Sequence, residues 1–117
     1  MKILIVEDFK RMRTAIKKLL EQVADEFMEC EDGSQSLDAY SNFNPDWVLM
    51  DISMDGMDGI QATVEIKRRF CDARILIVTE YNDPRLRAAA EEAGAYGYFL
   101  KEDLAALKKF LLQQNPT

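Results

Sequence analysis

Three stretches of this sequence are apolar without a break: Ile3–Val6 within KILIV (2–6), Trp47–Met50 within WVLMD (47–51), and Ile75–Val78 within RILIVTE (74–80). A strand with one face in water alternates apolar and polar side chains. An unbroken run is what a strand needs when both of its faces are covered, and such strands belong to parallel sheets flanked by helices. Two weaker runs, FMECE (27–31) and GYFLK (97–101), bring the predicted strands to five.

Helical spacing fills the gaps between them. Met12, Ala15, Ile16, Leu19, Leu20 and Val23 recur on one face after the first strand. Leu37, Tyr40 and Phe43 predict a short helix that stops before Asn44-Pro45. Gly59 to Phe70 reads as a helix through Ile60, Val64 and Ile66. Asp83-Pro84 supplies an N-cap and a proline at the first helical position, and RLRAAAEEAG runs on to a stop at Gly94. Asp103 to Gln114 is the last helix, with Leu104, Leu107, Leu111 and Leu112 as its apolar side. Five strands alternating with five helices predict an α/β fold, a doubly wound sandwich with a parallel sheet between two helical layers. The 117 residues suit one domain spanning 1–117, with no linker or repeat.

Composition removes several functions. With 15 basic and 21 acidic residues the net charge is −6, so direct nucleic-acid binding by this domain and anionic-membrane binding are not expected. The absence of histidine excludes His-ligated zinc, histidine-based triads and a phosphohistidine on this chain. Cys30 and Cys71 lack metal or redox spacing and read as two reduced thiols, consistent with a cytoplasmic location. Met1–Val6 meets Glu7-Asp8 too soon for a signal peptide, and nothing approaches a membrane span.

Open parallel sheets place ligands at the carboxyl ends of their strands. Here those ends carry Glu7-Asp8, Asp51, Thr79 and Lys101. Three carboxylates on one rim repel one another unless a cation sits among them. Oxygen-only ligands suit a hard divalent ion, with Mg²⁺ favoured. A carboxylate placed between that ion and a lysine can attack phosphorus and form an acyl phosphate. Asp51 is thus the candidate phosphoryl acceptor, with Lys101 and the metal neutralising the phosphoryl oxygens and Thr79 hydrogen-bonding one of them.

The segments ILIVED, LMDISMDGMDGI, ILIVTEY and EEAGAYGYFLKEDL resemble the receiver domain of two-component response regulators over essentially the whole chain. GAYGYFLKEDL is most similar to receivers of the transcription factors whose output is a helix-turn-helix domain. The resemblance implies a flavodoxin-like (βα)5 sandwich with strand order 2-1-3-4-5. It implies that Asp8 and Asp51 ligate Mg²⁺ directly, that Glu7 acts largely through water, and that the main-chain carbonyl of Ser53 is a further ligand. Thr79 and Lys101 then bind the phosphoryl group, and Tyr98 matches the family's switch aromatic, which turns inward when Thr79 is drawn to the phosphate. The implied partner is a sensor histidine kinase or a histidine phosphotransfer protein. A homodimer through the fourth helix, fifth strand and fifth helix is a further expectation. The role so implied is signalling rather than enzymatic turnover of a substrate.

Three positions depart from the family pattern. Asp55 stands where proline is usual, Glu80 replaces a small residue after Thr79, and Glu102 replaces the proline after Lys101. Asp55 and Glu80 keep open an alternative, a degenerate receiver that serves as a phosphorylation-independent interaction module. A haloacid-dehalogenase-type phosphatase would need an aspartate where Ser53 stands, and a flavodoxin-type electron carrier would need a Ser/Thr/Gly-rich loop where EDFKRMR stands. Glu7-Asp8 also suits a cap for the first helix, and Asp55 and Asp58 suit turns ahead of Gly56 and Gly59.

Overall fold

The computed structural model describes residues 1–53 and 58–114; Asp55 lies outside them. The elements run β1 (Lys2–Val6), α1 (Lys10–Leu20), β2 (Glu26–Cys30), α2 (Gly33–Phe43), β3 (Trp47–Met50), α3 (Gly59–Arg69), β4 (Ile75–Thr79), α4 (Pro84–Ala93), β5 (Gly97–Leu100) and α5 (Leu104–Gln113). A single 3₁₀ turn, Lys101–Asp103, joins β5 to α5. The strands form one sheet in the order β2-β1-β3-β4-β5, and each neighbouring pair is parallel.

The unbroken apolar runs are covered on both faces, as their composition requires. Leu4, Val6, Val48, Met50, Ile75 and Ile77 face one layer and meet Tyr40, Ala62, Ile66 and Ala90 from α2, α3 and α4. Ile3, Ile5, Trp47, Leu49, Leu76 and Val78 face the other and meet Ile16, Leu20, Leu107 and Leu111 from α1 and α5. Each fully buried aliphatic side chain contributes about 1.5–3 kcal/mol. Because successive strand residues alternate faces, the side chains just past the strand ends alternate too. Glu7 follows Val6 and Asp51 follows Met50, so both turn toward the layer that holds Ile5 and Leu49. Lys101 lies two residues past Phe99 and returns to that same side.

Helix ends account for the differences from the sequence reading. α2 begins a full turn earlier than Leu37, because Asp32 caps it by accepting from the Ser34 and Gln35 amides. Its C-cap Asn44 adopts φ 53° ahead of Pro45. α1 stops at Leu20, and Val23 is buried in the turn beyond, its amide bonded to the Leu20 carbonyl. Ala15 is exposed rather than part of the apolar face. In α5, Leu112 is 51 % exposed and Phe110 packs inward instead, against Phe99 and Trp47. The Asp83 cap, Pro84 at the first position and Gly94 at φ 103° stand as expected in α4. No described helix is long and apolar enough to cross a membrane.

Candidate functional site

The carboxyl ends of β1, β3 and β5 converge on one corner. The Lys101 ammonium lies 2.6 Å from Glu7 Oε1 and 3.2 Å from Asp51 Oδ2. Glu7 and Asp51 are 2 % and 4 % exposed, so these charges are out of water. Carboxylate oxygens of Glu7, Asp8 and Asp51 all lie within 4.8 Å of one another. Main-chain bonds hold the corner in shape. The Glu7 amide donates to the Cys30 carbonyl at 3.0 Å, and the Asp51 amide donates to the Val6 carbonyl at 3.0 Å. Glu7 Oε2 accepts from the Phe9 amide at 3.1 Å. Phe9, not Asp8, is the N-cap of α1, and no side chain caps that helix.

One ammonium among three carboxylates, two of them buried and the third partly so, leaves excess negative charge. Burial, and then the neighbouring Asp8 carboxyl, push Glu7 up to about 7 against the pull of Lys101. Burial likewise raises the Asp51 carboxyl, with Lys101 opposing it. Lys101 is itself held above the ordinary lysine value, since its bonds to Glu7 and Asp51 outweigh burial. Among the described residues, two buried side-chain oxygens have no hydrogen-bond partner, Asp8 Oδ1 and Asp51 Oδ1. Buried acceptors are normally satisfied. Two such oxygens in one corner, in a candidate ligand set made of carboxylate oxygens, fit a hard divalent cation.

Residues 3–111 match the response regulator receiver domain. The chain belongs to that family. Transcriptional regulatory protein LiaR of Bacillus subtilis is 36 % identical over 107 residues, covering 90 % of this chain and 51 % of LiaR. Chemotaxis protein CheY of the same species is 39 % identical over 101 residues, covering 86 % of this chain and 84 % of that protein. This receiver therefore spans about half the length of LiaR and similar transcriptional regulators, but most of a chemotaxis protein. The solved structure of a LuxR-family response regulator from Aurantimonas sp. SI85-9A1 matches with a TM-score of 0.84 at 31 % identity, covering 96 % of this chain and 85 % of that one.

The remaining residues singled out in the sequence of this receiver have distinct places. Thr79 is fully buried at the end of β4, level with Leu100 of β5. Its hydroxyl oxygen accepts from the Tyr81 amide at 3.3 Å. Tyr98 donates its hydroxyl to the Tyr81 carbonyl at 2.6 Å, and the Arg87 guanidinium stacks 4.4 Å from its ring centroid. Tyr81 therefore touches both Thr79 and Tyr98. Ser53 is exposed on the loop directly after Asp51, while the acidic cluster consists of side-chain oxygens. Glu80 is exposed at the rim. Asp58 caps α3 by accepting from the Gln61 amide at 2.8 Å. Lys101 opens the 3₁₀ turn rather than ending β5, and the described peptide bonds, including that to Glu102, are trans.

Sequence reasoning passed over Arg13. It is 92 % buried on α1 and donates from Nη1 to the main-chain oxygens of Glu7 at 2.7 Å and Asp8 at 3.3 Å. A signal was present in the sequence: Arg13 precedes Ile16 by three and Leu20 by seven, a charge set on the apolar stripe.

Proposed function

We propose that this receiver is a phosphorylation-activated switch that takes a phosphoryl group from a partner's phosphohistidine onto Asp51. The observation that supports it best is the buried Asp51 carboxylate, with one oxygen on Lys101 and the other without a partner beside Asp8 and Glu7. In the reaction an Asp51 oxygen attacks phosphorus as the donor N–P bond breaks, its electron pair returning to the imidazole nitrogen. An acyl phosphate remains on Asp51. The Lys101 ammonium, already 3.2 Å from Asp51 Oδ2, shifts onto the phosphoryl oxygens as they approach. Mg²⁺, which Glu7, Asp8, Asp51 and the Ser53 carbonyl would hold, supplies further neutralisation of those oxygens when bound.

The switch runs through the β4–α4 connection. A phosphoryl oxygen accepts from the Thr79 hydroxyl, since phosphorylation adds roughly two charges at pH 7 and strong acceptors, and turning that hydroxyl toward the phosphoryl group carries its oxygen away from the Tyr81 amide. Once Thr79 is drawn away, the Tyr81 peptide that anchors Tyr98 is released from one of its two ties. The face of α4, β5 and α5 then changes shape, and that face would carry the output, including self-association. The donor would be a sensor histidine kinase or a histidine phosphotransfer protein, in the cytoplasm. The protein's chemistry acts on its own side chain, so its role is signalling rather than turnover of a substrate.

The test is phosphotransfer from a radiolabelled phosphohistidine donor. Label is expected on the wild type in Mg²⁺, sensitive to alkali as an acyl phosphate. Asp51→Asn is expected to take none, and equal labelling of that variant would refute Asp51 as the acceptor.

A further inference from the structure

The metal reading uses Glu7, Asp8 and Asp51, yet the group that shapes the Glu7-Asp8 turn is a cation from α1. Arg13 reaches under that turn with one guanidinium nitrogen on two successive carbonyls, at 2.7 and 3.3 Å. Its Nε donates to Glu29 Oε1 on β2 at 2.8 Å. The other Glu29 oxygen is held by Lys17 Nζ, also at 2.8 Å and one helical turn beyond Arg13. The result is a chain of contacts from β2 through α1 to the end of β1. A guanidinium has a fixed fork of donors, so pinning Nε on Glu29 also fixes where Nη1 points.

That arrangement settles an otherwise awkward choice. A guanidinium under an acidic turn can take either carboxylate oxygens or main-chain oxygens as acceptors. Its direct charge pairing goes to Glu29, outside the cluster, and only its hydrogen bonds to main-chain oxygens go to the site. Among the described residues, Lys101 alone pairs with the site carboxylates. The Asp8 carboxylate is left facing the corner with Oδ1 free.

Resting on the metal-dependent reading above, we infer that Arg13 is a positioning residue for the cation site. It fixes the Glu7-Asp8 peptide so that both carboxylates are aimed at the corner, while its own charge pairs with Glu29. Were Arg13 merely a nearby positive charge, its removal would tighten binding of a divalent cation, because repulsion is relieved. As a positioning residue its removal weakens binding, because a preformed ligand geometry is lost.

Wild type, Arg13→Met and Lys17→Ala are titrated with MgCl₂ while the amide resonances of Glu7, Asp8 and Asp51 are followed by NMR, with urea unfolding measured in parallel. Methionine keeps much of the apolar stem and removes the donors. Arg13→Met is expected to raise the Mg²⁺ dissociation constant about tenfold or more. Lys17→Ala removes the same charge from the same helix and is expected to leave the constant within about twofold, since it spares the main-chain bonds. Arg13→Lys, which restores the charge and one donor nitrogen without the fork, is expected to recover part of the affinity. An Arg13→Met protein that is folded and binds Mg²⁺ as tightly as wild type, or more tightly, overturns the inference alone. A wild type whose resonances ignore Mg²⁺ overturns the metal reading and the inference with it.

Discussion

Gly59 is the position where one added methyl group is expected to reach the acceptor directly. It is the first residue of α3, and a Cβ built on it would lie 1.9 Å from the Asp51 carbonyl oxygen and 2.7 Å from the Asp51 carbonyl carbon. Ordinary contact begins near 3.4 Å, so the two backbones must separate by about 1.5 Å. They cannot part freely. The Gly59 amide donates to the Ile52 carbonyl at 3.0 Å, and the Thr63 hydroxyl donates to the Gly59 carbonyl at 2.8 Å. Helix propensity argues in the opposite direction, since alanine is favoured over glycine inside a helix by about 1 kcal/mol. Backbone overlap of this size costs about 1–3 kcal/mol, and more where nothing can yield. The expected net effect of Gly59→Ala is therefore a loss of up to about 2 kcal/mol. Moving Asp51 by even 1 Å relative to Lys101 is expected to slow phosphorylation about a hundredfold. Urea unfolding and labelling by a phosphodonor check the two effects separately. Gln61→Ala, exposed in the same helix turn, serves as the control and is expected to change neither. A Gly59→Ala protein more stable than wild type, with an unchanged rate, would refute the close approach of α3 to Asp51.

Three other outcomes are expected. The folded state raises Glu7 from 4.5 to about 7, so it binds more protons than the unfolded chain between those values, and the metal-free protein should lose stability as pH rises through that window. At about 1.4 kcal/mol per unit the loss is at most about 3.5 kcal/mol, and Mg²⁺ should stabilise more at pH 8 than at pH 5; urea midpoints independent of pH and Mg²⁺ would contradict the shift, and Asp8→Ala should abolish the Mg²⁺ part. Glu80→Ala is expected to speed reaction with acetyl phosphate, most at low salt, by relieving like-charge repulsion at the rim; equal rates at all ionic strengths would mean Glu80 does not face the donor. Beryllofluoride is expected to strengthen self-association through the α4-β5-α5 face, and Lys108→Glu with Lys109→Glu to weaken it, as read by sedimentation; a monomer in both conditions would leave that face to a different partner.

Much of this architecture was legible because the strongest signals have simple causes. Unbroken apolar runs require two covered faces, which led from KILIV, WVLM and ILIV to the parallel sheet and from there to the corner of Glu7, Asp51 and Lys101. The misses came where the local signal is weak. The first turn of α2 is Gly33, Ser34, Gln35 and Ser36, with no apolar residue to mark it, and only the Asp32 cap reveals it. On α5, Leu112 and Phe110 are both apolar, so composition could not say which faces water; packing against Trp47 and Phe99 decides for Phe110. Arg13 was hidden for a different reason. Its spacing from Ile16 and Leu20 marks it as inward-facing, but its partners are main-chain oxygens at the end of β1 and a glutamate of β2, which spacing along α1 does not name.

The corner itself works against the fold. Three carboxylates share one ammonium, two of the carboxylates are almost wholly buried, and burial raises both of those above their ordinary values. Such an arrangement persists only because the structure around it over-determines it. The strands that end there are buried on both sides, and Arg13 and the β1–β3 hydrogen bonds hold the turn and acceptor in place. A ligand that supplies positive charge relieves the repulsion, and so stabilises the state that binds it. A phosphoryl group brings negative charge instead, so its arrival must redistribute what already neutralises the corner. Lys101 has two carboxylate partners to give up, and Thr79 has one bond to the Tyr81 amide. The second of these is the weaker tie by geometry, at 3.3 Å, and Tyr81 also anchors Tyr98. In the proposed switch, the charge that arrives at Asp51 would act on the Thr79 bond whose loss carries a signal toward Tyr98.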